Sequence, residues 1–353
     1  MKQNCKVSKV KINAIVVDGW YFTEHYSGAT RYGIEVLKEL DNIIEPNRYV
    51  LLLRSEYCNA YSFKNIRVEK YHSYNKYTRF FEIWKKVKNG DKLYINFRNG
   101  FAIGKNSIIV RHDLFSFYDV MNVSKFGIIR SKIRAYQSFR KAKKIVTVTN
   151  HVKEDICNKF SVNEDKVAVI SNAWQHLRGV QPDDSVYKQY NLDDKGYYYF
   201  LGRLARNKNI DWIFKIADNS PQEVFVVSGE LYEEKFHYYY GKNKNIIYTG
   251  GVTDEQMAAL YIHCKGFLFP SLMEGFGIPP MEALYYGAPI IISNTSSLPE
   301  VYEDAAHYID PYKYDYDLDK ILKEPVADPQ KILDKYSWEK SARQWYELIE
   351  SFR

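Results

Sequence analysis

The stretch "SLMEGFGIPPMEALYYG", residues 271 to 287, sets Glu274 and Glu282 on either side of a Gly-Phe-Gly-Ile-Pro-Pro joint. Two carboxylates close in sequence can divide general-acid and general-base work, or each can accept hydrogen bonds from the hydroxyls of a ligand. The joint between them favours the second use. Gly275 and Gly277 lack a Cβ and let backbone approach a ligand closely, while Pro279 and Pro280 suit a first helical turn that does not need their missing N–H groups. Glu274 then belongs to a loop and Glu282 to the first turn of a short helix, with exposed N–H groups between them at the positive end of a helix dipole, where an anion can sit. A second glycine turn, "FLGRLARNKN", places Gly202 after a strand, Arg203 directly behind it and Lys208 at a helix start. Two cations at a strand-to-helix joint suit a pyrophosphate. His112 follows the apolar run "SIIV" in "VRHDL", at the end of a strand, and Asp113 either orients it or caps the segment that follows.

These residues must be positioned by the elements around them. Short apolar runs alternate with amphipathic segments of helical length. The first half predicts strands at 12–17, 49–53, 66–69, 93–95, 107–110, 145–148 and 167–170, with helices near 30–44, 79–87, 125–143 and 152–160. A polar stretch, "RGVQPDDSVYKQYNLDDKG", reads as a linker. The alternation then restarts with "YYYFLG", "EVFVVSG", "NIIYTG", "GFLFPS" and "PIIIS" as strands and with helices near 208–218, 254–263 and 280–286. Strands apolar on both faces and separated by helices argue for parallel sheets covered on both sides. The expected fold class is therefore α/β, with two doubly wound, Rossmann-like domains facing each other across a cleft. The divisions expected are a first domain at 1–177, a linker at 178–196, a second domain at 197–335 and a C-terminal amphipathic helix at 336–353.

The chain has 353 residues and a net charge of +7 that divides unevenly. Residues 1–180 carry 32 Lys and Arg against 16 Asp and Glu, and the remainder 18 against 27. The basic half is a candidate surface for anionic partners. It carries no signature of a nucleic-acid-binding module, and no nucleic-acid partner is expected. Within it, residues 124–144 interleave eight Lys and Arg with Phe126, Ile129, Ile133, Tyr136 and Phe139. This segment is either a core-packed helix with a solvated basic face or a surface for anionic lipid. Cys5, Cys58, Cys157 and Cys264 have no metal-like spacing and suit a reducing compartment. No apolar run has the length of a membrane span, so the expected location is cytoplasmic, at most peripheral to a membrane.

The motifs "EGFGIPPMEAL", "GRLARNKN", "TGGVTDEQMAALY" and "SSLPEV", and the closing "YSWEK" segment, occur in an order that resembles the retaining glycosyltransferases of family 4, which have the GT-B fold. "YSGATRYGIEVLKEL" resembles that family's glycine-containing loop and following helix, with Ser27-Gly28 where a Gly-Gly pair is common. The resemblance implies a nucleotide-sugar donor, UDP-hexose before GDP-hexose, and a saccharide acceptor, lipid-linked, in surface polysaccharide or O-antigen assembly. It also implies a C-terminal helix that crosses back to the first domain. Glu274 would bind donor-sugar hydroxyls with the backbone of Gly275, Phe276, Gly277 and Ile278, and Glu282 the ribose. Arg203 and Lys208 would stabilise the departing diphosphate in place of a metal, so neither cofactor nor metal is expected. Thr249, Gly250, Gly251 and Val252 would meet the base, Gly28 and Gly202 would line the donor site, and His112 would point at the donor sugar. The one D-x-D run, at 315–319, reads as a solvated acidic turn. An inactive sugar-nucleotide-binding relative and a GT-B phosphorylase or epimerase remain as alternatives.

Overall fold

Thirteen short strands among the described residues form two sheets in which every pairing is parallel. The structure is a computed structural model that describes residues 13–22, 27–73, 75–117, 125–203, 205–229 and 243–353. Cys5, Tyr26 and Ser124 lie outside them. The first sheet contains β1 (Ala14–Asp18), β2 (Tyr49–Leu53), β3 (Arg67–Lys70), β4 (Lys92–Asn96), β5 (Ser107–Arg111), β6 (Lys144–Thr147) and β7 (Val167–Val169), in the order β3-β2-β1-β4-β5-β6-β7. The second contains β8 (Tyr197–Leu201), β9 (Val224–Ser228), β10 (Ile246–Gly250), β11 (Gly266–Phe269), β12 (Ile290–Ser293) and β13 (His307–Ile309), in the order β10-β9-β8-β11-β12-β13. Both orders reverse direction beside the first strand of the sheet, between β1 and β4 and between β8 and β11. Such a reversal opens a crevice at the carboxyl ends of the strands.

The sequence explains the sheets' burial. "YVLLL" of β2 and "IIIS" of β12 are buried at every position, so helices must cover both faces. One such cover is the Gly28–Asp41 helix, whose Tyr32, Ile34, Val36, Leu37 and Leu40 are buried. Ser27 caps it and accepts from the Thr30 N–H. On its outer side lies the C-terminal helix, Trp338–Glu350, capped by Ser337. Trp345 donates from its indole nitrogen to the Tyr32 hydroxyl at 2.7 Å, Tyr32 donates to the Ile170 carbonyl at 3.0 Å, and Arg48 pairs with Glu350. The last helix of the chain thus packs on the first sheet's side.

Several elements differ from expectation. The helix expected at 280–286 is Ile278–Tyr285, so Glu282 is its fifth residue and lies past the first turn. Strand β13 and the helices Leu298–Tyr302, Leu318–Leu322 and Gln330–Lys335 are too short to carry a period. Within the stretch read as linker, Ser185–Gln189 is a helical turn that contacts the Asp254–His263 helix. The Asp183 N–H bonds the Glu255 carbonyl, and that of Lys195 the His263 carbonyl, both at 2.9 Å. In the 125–141 helix, Phe139 and Ala135 are buried and Ile128 is half-buried while Phe126, Ile129, Ile133 and Tyr136 face outward, so four of its six larger apolar side chains do not serve the core.

Candidate active site

Backbone bonds knit together the loops that leave β8 and β11. The Leu272 N–H donates to the Asn207 carbonyl at 2.8 Å, and the Asn209 amide donates to the carbonyls of Pro270 and Pro311 at 3.1 and 2.9 Å. Asn209 adopts the left-handed conformation, with φ of 56°, between the turn Arg206–Lys208 and the helix Ile210–Asn219. This geometry holds Lys208 with its ammonium 2.6 Å from Glu274 Oε1 and 4.6 Å from the centre of the Phe269 ring. Its stem runs beside Gly202. Glu274 is buried, and a buried carboxylate needs such a partner. Its backbone is clamped as well: its N–H donates to Ser296 Oγ at 3.1 Å, and the hydroxyls of Ser296 and Ser297 donate to its carbonyl at 2.6 and 3.0 Å. Arg203, beside Gly202, is exposed and outside the Lys208–Glu274 pair.

Glu282 is also buried. His176 Nε2 donates to its Oε1 at 3.0 Å and the Tyr261 hydroxyl to its Oε2 at 3.3 Å. Burial pushes its carboxyl up, but the His176 bond and charge, the Arg31 guanidinium and the Tyr261 hydroxyl together outweigh burial and hold it below the usual range. The backbone between the two acids follows the sequence reading. Gly277 has φ of 85° and Pro279 and Pro280 fall in the first turn. Phe276 is buried against Tyr336 at 5.1 Å between ring centres.

The first sheet meets this loop from the other side. A Cβ on Gly275 would lie 1.7 Å from the His112 carbonyl oxygen, so only glycine permits the approach. The Thr149 hydroxyl donates to the Gly275 carbonyl at 3.0 Å. Glu300 accepts from the N–H groups of Asn150 and His151, both at 2.7 Å, at the positive end of the Asn150–Phe160 helix. Gly28 faces Ile278, with 3.4 Å between a built Cβ and Cδ1. His112 donates from Nε2 to the Phe97 carbonyl at 2.7 Å and packs edge-on to Tyr32. Because a carbonyl only accepts, Nε2 carries the proton. Burial holds the imidazole's pKa below the ordinary value. Asp113 accepts from the Phe115 N–H at 3.1 Å, which makes it a cap.

At the end of β10, the Thr249 and Ser228 hydroxyl oxygens are 2.7 Å apart, and the Gly250 carbonyl accepts from the Gly229 N–H at 2.8 Å. Gly251 is exposed, Val252 packs on the core, and Thr253 caps the Asp254–His263 helix with a reciprocal bond from Gln256. The structure therefore gathers Gly28, His112, Gly202, Lys208, Glu274, Gly275 and Ile278 at one seam. His176, Tyr261, Thr149, Ser296, Ser297 and Glu300 also serve this region; Tyr261 lies in the motif "TGGVTDEQMAALY" and Ser296, Ser297 and Glu300 in "SSLPEV", but none of the six has a role assigned from the sequence. Thr149, ahead of an apolar-periodic segment, carried a readable cap signal, whereas nothing near His176 points to Glu282. In the acidic run, Asp317 caps the Leu318–Leu322 helix and Asp319 binds Tyr198 and Lys265. Among the described residues, no three His, Cys, Asp or Glu side chains stand together as a metal set.

Residues 184–343, which carry both glutamates and both cations, match the family model described as glycosyl transferases group 1. The match spans somewhat less than half of the chain, and the likeness to that family holds for this region. It is 30% identical over 199 residues to O-antigen chain mannosyltransferase B of Escherichia coli, covering 51% of each chain. The chain spans about half the length of the curated relatives it matches. Among solved structures it is similar to sucrose-phosphate synthase from Thermosynechococcus elongatus, with a TM-score of 0.73 at 16% identity, covering 96% of this chain and 98% of that one. HepE of Anabaena, solved with UDP and glucose, gives a TM-score of 0.71 at 14% identity, covering 96% and 99%. These structures establish the two-sheet GT-B fold.

Proposed function

We propose that the chain transfers a hexosyl group from a nucleoside-diphosphate sugar to a hydroxyl of a lipid-carried saccharide, with retention of configuration, in the assembly of a surface polysaccharide. The observation that carries this reading is the Lys208–Glu274 pair, with Glu274 buried and Lys208 half-buried, set between the Gly202 turn and the Gly275 turn that abuts the His112 backbone. A donor brings sugar hydroxyls for Glu274 to accept and phosphate oxygens to receive the Lys208 protons. Glu282, held ionised at neutral pH, has accepted two hydrogen bonds and keeps lone pairs for the ribose hydroxyls. His112 is kept neutral by burial and its Nε2 proton is committed to Phe97, so Nδ1 offers a lone pair to a sugar hydroxyl without placing a charge beside a cationic centre.

Both glutamates are committed to hydrogen bonds, which leaves neither as an obvious nucleophile for a double displacement. The reaction proposed is a front-face substitution. The bond from the anomeric carbon to the diphosphate breaks and the diphosphate leaves with the electron pair. The acceptor oxygen bonds the same face of that carbon, and a β-phosphate oxygen takes its proton. Negative charge grows on the departing group, and Arg203 and Lys208 supply the countercharge without a metal ion. The E. coli relative's name makes mannose the first sugar to test, on both UDP and GDP. Arg203→Ala should keep the parent melting temperature and Lys208→Ala should fold but melt lower, because it leaves Glu274 unpaired; each should lose about 10²–10³-fold in transfer rate, and full activity in either variant would overturn the assignment.

The lipid-carried acceptor rests on the outward face of the Lys125–Lys141 helix, where Phe126 and Ile129 are 74% and 55% exposed beside Arg130, Lys132 and Arg140. Each basic residue near an anionic bilayer contributes about 1 kcal/mol, and exposed apolar side chains enter its interface. Reversing Arg130, Lys132 and Arg140 to Glu should abolish sedimentation with phosphatidylglycerol vesicles, and unchanged sedimentation would remove the lipid surface from this reading. No helix among the described residues is long and apolar enough to cross a membrane.

A further inference from the structure

Glu282 lies on the Ile278–Tyr285 helix beside the second sheet, but the stronger of its two hydrogen bonds comes from a distant part of the chain. His176 sits in the turn Gln175–Leu177, just past β7, where the chain leaves the first sheet for the second. Its Nε2 donates to Glu282 Oε1 at 3.0 Å. The Tyr261 hydroxyl has one proton and two acceptors, the Pro279 carbonyl at 3.2 Å and Glu282 Oε2 at 3.3 Å, so its bond to the carboxylate is shared and weaker.

The His176 ring has no other hydrogen-bonding duty. Its side chain is 2% exposed, which leaves solvent little chance to compete for the Glu282 bond. Nδ1 is buried without a partner among the described residues. For packing alone, an apolar side chain of similar size would leave no polar atom unmet at this place. The segment around the ring is clasped from several sides. Trp174 donates its indole N–H to the Leu333 carbonyl at 3.0 Å and packs on Tyr285 with ring centres 4.3 Å apart. Tyr285 is the last residue of the helix that bears Glu282. Gln175 donates to the Tyr336 carbonyl at 2.9 Å and accepts from the Trp338 N–H at 3.1 Å, and the Ser341 hydroxyl donates to the Ser171 carbonyl at 2.7 Å. The imidazole is therefore fixed through its neighbours on both flanks.

We propose that His176 is a positioning residue for the donor nucleotide, setting the plane of the Glu282 carboxylate so that its oxygens meet the vicinal hydroxyls of a ribose. This role rests on the transferase reading above, which puts the ribose at Glu282. The last torsion of a glutamate is broad and roughly two-fold, so its carboxylate keeps one plane only where donors fix it. Two neighbouring hydroxyls can donate to both oxygens at once only if that plane is kept. Arg31 also favours the ionised carboxylate, but it does so by charge, which selects no plane.

Titration calorimetry of the full chain with UDP and GDP, and with the 2′-deoxy form of whichever binds, tests this without a transfer assay. The parent should favour the ribonucleotide by about tenfold or more, because removing the 2′-hydroxyl removes a hydrogen bond to a charged group. In His176→Leu that preference should fall below about threefold, with the 2′-deoxy nucleotide bound about as tightly as by the parent. His176→Gln, whose longer amide can reach Oε1, should recover most of the preference. His176→Asn, whose amide is too short to do so, should behave as His176→Leu does and replaces it if the leucine variant fails to fold. The preference is a ratio within one variant, so a general loss of stability does not move it. A parent-like preference in His176→Leu or His176→Asn would overturn the role of His176 alone. So would a His176→Gln variant that recovers nothing, since ring shape and not the donated bond would then be the cause. Equal binding of the ribonucleotide and its 2′-deoxy form by the parent would refute the roles of both Glu282 and His176 while leaving the transferase reading in place. A parent that binds neither UDP nor GDP would refute the transferase reading and the role of His176 with it.

Discussion

The two sheets present opposite kinds of polar surface. On the loops of the second sheet each key charge already has a partner: Lys208 holds Glu274, and His176 and Tyr261 hold Glu282. On the first sheet, Arg79 keeps two buried nitrogens unpaired, and Tyr77, Phe81 and Phe126 stand largely in the open. The difference teaches what each side is built to meet. A pre-paired carboxylate and ammonium stay fixed in position and exchange one set of hydrogen bonds for another when a donor enters, which costs little reorganisation. Arg79 instead meets Asp18 through one nitrogen at 3.5 Å and lies over the Trp20 and Tyr21 rings, so its charge is less fully hydrogen-bonded than those of the second sheet.

The largest effect on this contrast should come from closing the glycine gap at the seam. Gly275→Ala places a methyl group against the His112 backbone, which cannot swing away as a side chain would. Overpacking of this kind costs about 1–3 kcal/mol, and the shift needed to relieve it separates Thr149 from the Gly275 carbonyl. Melting temperature and transfer rate should fall together. Gly251→Ala is the control on the same sheet: nothing lies within 4 Å of its built Cβ, and the change should stay within about 0.5 kcal/mol. Equal melting temperatures for the two variants would show that the seam is open in solution and that the second sheet's loops are not held as described.

Much of this architecture was legible in the sequence, for reasons that also mark the limit. The alternation of apolar runs with helical segments specified parallel sheets, and Gly277 with Pro279 and Pro280 announced a turn entering a helix, because both signals are local. The helix ran from Ile278 and placed Glu282 deeper than expected, since the left-handed Gly277 began it ahead of the prolines. The strand order was not legible, as a crossover of given length can reach either neighbour. His176 approaches Glu282 across 106 residues, and Trp345 approaches Tyr32 across 313, so no spacing rule connects either pair. Asn75 could have been read: it caps the Lys76–Val87 helix by accepting from Tyr77 and Thr78, three residues before the start expected from periodicity. With it, Tyr77 would have joined the aromatic face beside Phe80 and Phe81.

A smaller effect distinguishes the two surfaces by pH. Glu282→Gln keeps the shape of the side chain and an oxygen for His176, but removes the charge that strengthens the bond. The native carboxyl lies below its ordinary value of 4.5, so its interactions stabilise the fold at pH values above that figure and are lost as pH falls through the folded value. The variant should therefore melt lower than the parent at pH 7, with the gap narrowing from pH 5 downward. Comparing the two chains at each pH cancels the titration of other groups. A gap that stays constant or widens in acid would mean that Glu282 is not held ionised by His176 and Tyr261, and the view of the second sheet as pre-paired would fail at that residue. Arg134→Gln offers the matching measurement on the first sheet: a guanidinium stays charged throughout this range, so any difference it makes to stability should show no acid-side closure.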